Sequence, residues 1–207
     1  MSPLSKSLIP LGIVASAISG SISFADDSQG FYVTAGAGST SVSDVTATAA
    51  GTSVAVDIGS GFSSELGLGY DFGNDIRTEI TWGEAKGDFN SVAGVAVTSG
   101  DVKASTIGVN VYKDFSGDSN FTPYIGAGLG TTSIDTSAIT INSTSYVGSN
   151  ADTKTFSLKI GSSYEVNDNT NLFLEGKYAS IGDFKVAGVK YTDISTLGIH
   201  AGFRFGF

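Results

Sequence analysis

The stretch that most constrains the fold is 197–207, because its residues alternate strictly between two kinds of side chain. One face of an extended strand through it would be entirely apolar, and the other would carry glycines, His200 and Arg204. Such a strand suits a wall between lipid and a polar lumen. A water-soluble protein seldom exposes a run of aromatic side chains such as Phe203, Phe205 and Phe207. The stretch therefore predicts one strand of a transmembrane β-barrel.

The N-terminus has the features of a secretory signal peptide. Lys6 is its only charge, residues 8–18 are mostly apolar, and Ser23-Phe24-Ala25 is an acceptable cleavage site. The apolar run is too short and too rich in Ser and Gly to be a transmembrane helix. We expect residues 1–25 to be a cleaved signal peptide and residues 26–207 to form a single domain.

The composition narrows the class of protein. The formal net charge is −9, and an acidic exported chain is a poor candidate for binding nucleic acid, which needs basic stripes. The absence of Cys excludes disulfides, thiol catalysis and zinc–thiolate sites. No stretch after residue 25 approaches the roughly 18 apolar residues of a membrane helix. Because only helices and closed barrels satisfy the backbone in lipid, a membrane protein with this sequence must be a barrel.

Eight alternating segments can be drawn after residue 29. The joins at 73–75, 116–120 and 167–170 are short and consist mainly of Gly, Asn, Asp and Ser, which favour hairpin turns. The other joins are long and rich in Ser, Thr, Gly and Val. This alternation of short and long joins predicts an all-β, eight-stranded antiparallel up-and-down transmembrane β-barrel with both termini periplasmic. The predicted strands are 30–40, 60–72, 76–86, 102–115, 121–133, 153–166, 171–182 and 192–207.

Aromatic residues cluster towards the strand ends on the predicted outer face, where they would form two interfacial girdles. Lys113 interrupts this face beside a turn, where it is expected to reach the interface. The lower girdle would contain Tyr70, Phe72, Phe115, Phe121, Tyr164, Phe205 and Phe207, and the upper girdle Phe62, Trp82, Phe156 and Tyr178.

The predicted inner face carries charges among many small residues. Eight strands enclose an interior just wide enough for side chains, so charges there must pair or face trapped water. If 73–75 is a three-residue turn, Asp71 faces Arg77 and would form one such ion pair. The mixed signs predict a cross-linked plug rather than an open channel. The predicted lumen charge network is Glu65, Asp71, Arg77, Glu79, Lys159, Glu165, Glu175, Lys177, His200 and Arg204.

Two other interpretations compete with this one. A soluble β-sandwich also alternates, but the small or charged face here has almost no bulk to complete a core. A catalytic site would need a nucleophile beside His200, which is the only His. No Ser occupies the neighbouring inward positions of its strand, Gly198 and Gly202, so the sequence predicts no catalytic pair. We expect no catalytic residue, no metal and no cofactor.

Four segments together resemble the family of small opacity-protein-like and OmpA-like outer-membrane barrels. The resemblance implies an outer-membrane barrel with surface loops and a role as surface antigen, adhesin or minor porin; we expect no periplasmic peptidoglycan-binding domain. The ending Phe203, Phe205 and Phe207 also resembles the C-terminal assembly signal of such barrels. The four segments are GFYVTAGAG (30–38), LGLGYDF (66–72), FTPYIGAGLG (121–130) and GFRFGF (202–207).

The first functional interpretation is therefore a non-enzymatic outer-membrane barrel with a structural or surface-interaction role and a lumen closed by ion pairs. The second is a narrow porin for small solutes, and a distant third is a lipid-modifying enzyme. Expected partners are outer-membrane lipid, the barrel-assembly machinery and a host, phage or other surface ligand. Residues 40–58 and 134–147 still alternate, so these loops would extend the sheet above the membrane.

Overall fold

The computed structural model describes residues 29–43, 45–186 and 188–207, and the signal peptide predicted at 1–25 lies outside them. Within these ranges no helix is long and apolar enough to cross a membrane. Their strands, in chain order, are β1 (Gln29–Val42), β2 (Val45–Ala49), β3 (Thr52–Ile58), β4 (Gly61–Phe72), β5 (Ile76–Val92), β6 (Val95–Ala96), β7 (Asp101–Asp114), β8 (Phe121–Thr136), β9 (Ile139–Ile141), β10 (Thr144–Tyr146), β11 (Asn150–Asn167), β12 (Thr170–Ile181), β13 (Phe184–Val186), β14 (Val189–Thr192) and β15 (Ile194–Gly206).

Eight of the strands close an antiparallel barrel in the order β1, β4, β5, β7, β8, β11, β12 and β15. The barrel is completed where β15 pairs back onto β1, from Tyr32 opposite Gly206 to Val42 opposite Thr196. The predicted eight-stranded antiparallel fold is confirmed.

Inside and outside are reversed relative to a soluble protein. On the outer face, Leu129 and Ile160 are 70% and 68% exposed. On the inner face, the charged residues Arg77, Glu79 and Lys159 are only 3%, 4% and 3% exposed. Each strand alternates between these faces because successive side chains of a strand point in opposite directions.

Short turns at 73–75, 115–120 and 168–169 define one end of the barrel, the turn end. In the first turn Gly73 and Asp75 have positive φ angles of 72° and 61°, and the Gly73 N–H donates to Asp71 Oδ1 over 2.9 Å. Hydrogen bonds from Ser116 and then Lys113 lower the pKa of Asp75 below its usual 3.8. These contacts fix the hairpin and the register of the strands that follow it.

The opposite end, the loop end, carries more structure than the eight strands alone. Strands β13, β14, β2, β3 and the far half of β5 form a second sheet, the outer sheet. Three hairpins beyond the barrel turn on two residues with positive φ, at 50–51, 93–94 and 142–143. Such turns match the twist of the strands they join. The expectation that residues 40–58 and 134–147 extend the sheet agrees with strands β2, β3, β9 and β10.

The outer sheet has its own small apolar core. Val45, Ala47, Val56 and Ile194 are buried together, and Ile181 packs against them. Because Ile181 and Ile194 are cross-strand partners on the inner face of β12 and β15, this core continues into the loop end of the lumen. The apolar core of the outer sheet therefore adjoins the polar interior on the side of β12 and β15. The remaining residues packed against it are Val42, Val54, Ile58, Phe89, Val92, Phe184, Val189 and Tyr191.

Candidate functional site

The centre of the lumen is held by Lys159, whose side chain is 1% exposed. Its Nζ lies 2.5 Å from Glu65 Oε1 and 3.3 Å from Glu175 Oε1, and it donates a 2.8 Å hydrogen bond to the Tyr112 hydroxyl. The other Glu65 oxygen lies 2.5 Å from Lys177 Nζ. Strands β11 and β4 are diametrically opposite in the barrel order, so the contact between Lys159 and Glu65 crosses the whole lumen.

A second group of contacts surrounds Arg77. Its Nε donates to Asp114 on the neighbouring strand, with a 2.9 Å distance to Oδ2. Its guanidinium carbon lies 4.0 Å from the ring centre of Tyr112 and 4.8 Å from that of Tyr124. Cation–π contacts of this kind strengthen when they are shielded from water. Arg204 lies 5.6 Å from the Tyr32 ring, so this part of the lumen is filled by cations and phenol rings.

The expected ion pair between Asp71 and Arg77 is wrong, although the register behind it is right. The two residues are cross-strand partners. The guanidinium instead reaches the next strand and pairs with Asp114, while Asp71 caps the turn at Gly73. A long inward side chain can reach several strands, so its ion-pair partner need not be its cross-strand neighbour.

Of the predicted lumen charges, Glu65, Glu175, Lys159 and Lys177 meet in one cluster, as described. Glu79 Oε1 accepts a hydrogen bond from the Tyr112 hydroxyl over 3.4 Å, and Arg204 meets Tyr32. Glu165 does not join them: it is exposed at the turn end, where β11 carries a register shift. Glu165 alternates in step with the inward residues of β11. It nevertheless does not face the lumen, because β11 has left the lumen at this point.

Bulky aromatic residues of the lumen were missed by the sequence argument. Tyr32, Tyr112 and Tyr124 are 3%, 2% and 3% exposed and point inward. The sequence-based statement that the small or charged face has almost no bulk is therefore wrong. The barrel, which that statement was used to favour over a β-sandwich, is nevertheless present. The alternation of side chains along the strand could have identified them, because Tyr112 lies on the same face as the inward Asn110 and on the opposite face from the outward Val111.

Inward glycines make room for these rings. A Cβ on Gly69 would lie 2.1 Å from the Tyr32 ring, and a Cβ on Gly126 would lie 2.6 Å from the Tyr112 ring. Gly161 has the same relation to Tyr124, also at 2.6 Å. Real side chains do not tolerate such distances, so each ring occupies the space that a glycine on the next strand leaves.

His200 has a serine neighbour that its own strand does not reveal. Its Nε2 lies 2.8 Å from Ser63 Oγ, and Ser63 also accepts a 2.8 Å hydrogen bond from Thr40. The positions considered from the sequence, Gly198 and Gly202 on the same strand, carry no Ser, but Ser63 approaches from β4, across β1. Both side chains are buried, at 6% and 3% exposure, among polar residues of the lumen.

Small cavities remain among the described residues of the lumen. One, of about 30 Å³, is bordered by Arg77, Tyr112 and the carboxylate of Glu79. Another, of about 80 Å³, lies between small polar residues and is bordered by Lys177 and His200. A water molecule needs roughly 10–15 Å³ of such space. These volumes are large enough for a few waters. Among the described residues, Glu79 Oε2 is buried without a hydrogen-bond partner. In the described part of the chain no cluster of His, Asp and Glu could hold a metal ion.

The outer face carries the expected aromatic residues near both ends. At the turn end, Tyr70 lies between Phe31 and Phe72 with both ring centres 5.0 Å away. Phe31 was not among the predicted girdle residues. The predicted ones are exposed or half-buried at the outer surface: Phe62, Tyr70, Phe72, Trp82, Phe115, Phe121, Phe156, Tyr164, Tyr178, Phe205 and Phe207, with Phe203 beside them on β15.

Comparison with protein families identifies this architecture. The family model described as the outer membrane protein beta-barrel domain matches residues 11–205. The chain belongs to this family. It is therefore a barrel of the bacterial outer membrane, and the resemblance to small outer-membrane barrels is confirmed. A search of curated protein sequences finds no match.

Solved structures share the barrel fold. Neisserial surface protein A (NspA) is 26% identical, with 86% of this chain and 97% of that chain covered and a TM-score of 0.58. OprG from Pseudomonas aeruginosa is 17% identical over 87% and 98% of the two chains, with a TM-score of 0.58. The outer membrane protease OmpT from Escherichia coli shares the fold at 7% identity, over 86% and 97%, with a TM-score of 0.53.

Proposed function

We propose that this outer-membrane barrel is closed, is not an enzyme, and acts through a surface-interaction role of its loop end, in the manner of an adhesin. The loop end then faces the outside, and the turn end and both termini face the periplasm. The observation that carries the proposal is the contact of Lys159 with Glu65 across the lumen, buried on all sides.

The ion network favours a closed state energetically. A path through the barrel would require Lys159 to leave Glu65, Glu175 and Tyr112 together. Separating a buried ion pair costs roughly 3–5 kcal/mol when the partners are left uncompensated. An open state would then be populated below about one part in a hundred.

The pair of Ser63 and His200 is better suited to stability than to catalysis. A nucleophile must reach its substrate. Ser63 is 3% exposed, and the cavity beside it, of about 80 Å³, is smaller than a lipid or peptide group. Ser63 and His200 instead satisfy each other's hydrogen bonds within the lumen wall.

A surface role is supported by the folded loop end. Binding residues are often carried by loops on a rigid scaffold. The outer sheet has its own core at the loop end. The separate β9–β10 hairpin is hydrogen-bonded to residues 98–99 and presents Tyr146 and Val147, 57% and 95% exposed. NspA is itself named a surface protein, which agrees with this assignment.

Single-channel recording of the refolded protein in a planar bilayer tests the closed lumen. Insertion is verified by a heat-dependent gel shift. We expect no steady conductance from the native barrel and discrete openings from the double variant Lys159→Ala, Tyr112→Ala, which removes the central contacts. Steady openings of the native barrel would replace this proposal with the narrow porin.

Epitope insertion on intact cells tests the orientation and the surface role. A tag between residues 93 and 94 should bind antibody on intact cells, whereas a tag beside Gly117 in a short turn should bind only after the membrane is broken. Cells displaying the native barrel should adhere to host surfaces better than cells whose hairpin 137–149 is replaced by a Gly-Ser linker. Equal adhesion would contradict the surface role of this hairpin.

A further inference from the structure

Strand β10 is a free edge of the structure at the loop end. Its residues Thr144, Ser145 and Tyr146 are all exposed, and among the described strands it pairs only with β9. Proteins usually protect such an edge with charges, with proline or with a covering segment. Residues 136–151 contain neither a charged residue nor a proline. At the far end of the outer sheet, by contrast, β13 carries Lys185.

The backbone of Ser145 points towards this free edge. Ile141 and Thr144 are cross-strand partners on either side of the two-residue turn at 142–143, so they form a hydrogen-bonded pair. Hydrogen-bonded and non-hydrogen-bonded pairs alternate along an antiparallel ladder. The next pair, Thr140 and Ser145, is therefore non-hydrogen-bonded, and its backbone groups point away from the hairpin on both sides.

The hydrogen bonds of Thr140 agree with this direction. Its N–H donates to the Ser99 carbonyl over 2.8 Å, and its own carbonyl accepts from the Thr98 N–H over 2.9 Å. On the opposite side of the hairpin, the N–H and carbonyl of Ser145 form no backbone hydrogen bond with any described residue. One donor and one acceptor are thus available to a further strand, which would also enlarge a hairpin that is small on its own.

This edge is complementary to itself. In an antiparallel pair of two β10 strands centred on Ser145, the Ser145 N–H of each copy donates to the Ser145 carbonyl of the other. Thr144 of each copy then lies opposite Tyr146 of the other, and a β-branched residue opposite an aromatic one stabilises such a pair. The chain has a formal net charge of −9, so two copies repel each other, but contact through residues 136–151 brings no like charges together.

We propose that β10 is a self-recognition strand, through which two copies of this chain pair antiparallel about Ser145. The interface is isologous, because both copies use the same strand. Each contact consists of a few backbone hydrogen bonds, so it gains strength when many barrels are displayed together. The inference rests on the surface role proposed for the loop end and names a partner for it; it is independent of whether the lumen is closed.

Disulfide trapping tests the pairing directly, because the chain has no Cys of its own. Hydrogen-bonded partners in an antiparallel pair have Cα atoms about 5.5 Å apart, a distance that a disulfide spans. Ser145→Cys in refolded barrels in micelles should give covalent dimer under mild oxidation. We expect it to form at least about 10-fold faster than from Ser53→Cys, an exposed position on β3, because pairing raises the local thiol concentration. Equal rates would overturn the proposal.

Charge exchange at residue 145 tests the register. Ser145→Lys and Ser145→Glu should each be monomeric in sedimentation velocity, because residue 145 lies opposite itself and like charges there destabilise the pair. An equal mixture of the two variants should recover dimer, since each contact then joins Lys to Glu. Thr52→Lys, an exposed control on the β2–β3 hairpin, should dimerise like the native chain. No recovery in the mixture, or an equal loss in Thr52→Lys, would refute self-pairing; a heat-dependent gel shift verifies that every variant is folded.

Host adhesion separates this inference from the surface role on which it rests. If Ser145→Lys abolished adhesion to host surfaces while Ser145→Cys gave no dimer, β10 would bind a strand of a host protein; self-recognition would be wrong and the surface role would stand. If the dimer formed but replacement of hairpin 137–149 left host adhesion unchanged, self-recognition would stand and the host-binding role would be wrong.

Discussion

Replacing Lys159 by Met is the sharpest test of how the lumen is held together. Met keeps most of the aliphatic stem and removes the ammonium group, so little volume is lost. Glu65 and Glu175 are then left with Lys177 as their nearby cation, in a site where Lys159 was 1% exposed. Removing one partner of a buried pair costs about 3–5 kcal/mol, and we expect that loss in the free energy of unfolding.

Urea unfolding of the barrel in lipid vesicles, followed by Trp82 emission, measures this loss. With a slope of about 2 kcal/mol per molar urea, the unfolding midpoint should fall by about 2 M. The control is Lys113→Met at the turn end, where the ion pair with Asp75 spans 3.0 Å and both side chains are 41% exposed. Such an exposed pair contributes less than about 1 kcal/mol.

A third variant keeps the test decisive if Lys159→Met folds poorly. Glu65→Gln combined with Lys159→Met leaves Lys177 and Glu175 in the cluster, which restores its neutrality. We expect this double variant to be more stable than Lys159→Met alone, because the uncompensated charge is removed. If Lys159→Met lost no more stability than Lys113→Met, the central network would not hold the barrel, and the reasoning would fail.

Three further outcomes are expected. Gly126→Ala should cost about 1–3 kcal/mol in urea unfolding because its methyl group meets the Tyr112 ring, whereas Gly117→Ala, with open space around it, should be neutral. Val56→Ala should speed amide exchange in β2 and β3 without changing the barrel strands, since Val56 is buried in the outer-sheet core; uniform exchange throughout would contradict a separate core. Asp75, with its lowered pKa, stabilises the fold above pH 3.8 and loses that contribution as the pH falls through the folded pKa. Asp75→Asn should therefore show a shallower acid dependence of unfolding than the native chain. Identical profiles would refute this.

The strand pattern was accessible from sequence because side-chain facing has a period of two and one face must be apolar throughout. The phase of each strand, and hence the inward position of Glu65, Arg77 and Lys159, followed from that rule. The positions of the strand ends did not follow from that rule. β5 continues to Val92, beyond the predicted 86, because it pairs with β3 and turns at 93–94 into β6. Those pairings depend on neighbours from other loops.

Contacts across the lumen were beyond a sequence argument for a different reason. The alternation of side chains predicts that Lys159 and Glu65 both face the interior. Their contact, however, depends on the barrel's width and on the lengths of both side chains. The partner of Arg77 shows the same limit, since Asp71 and Asp114 both face inward and only Asp114 takes the ion pair. Ser63 was missed beside His200 because a neighbour two strands away leaves no local spacing to find.

The closure of β15 onto β1 has a consequence for how the barrel forms. Every other barrel pairing joins consecutive barrel strands, whereas this seam joins Tyr32 to Gly206. Bringing such distant segments together carries the largest loop-closure entropy, and pairings of high sequence separation form slowly. We therefore expect the hairpins to assemble first and the seam to form last. Until that step, both seam strands expose unpaired backbone, and the barrel is an open sheet that is poised to pair with any other strand it meets.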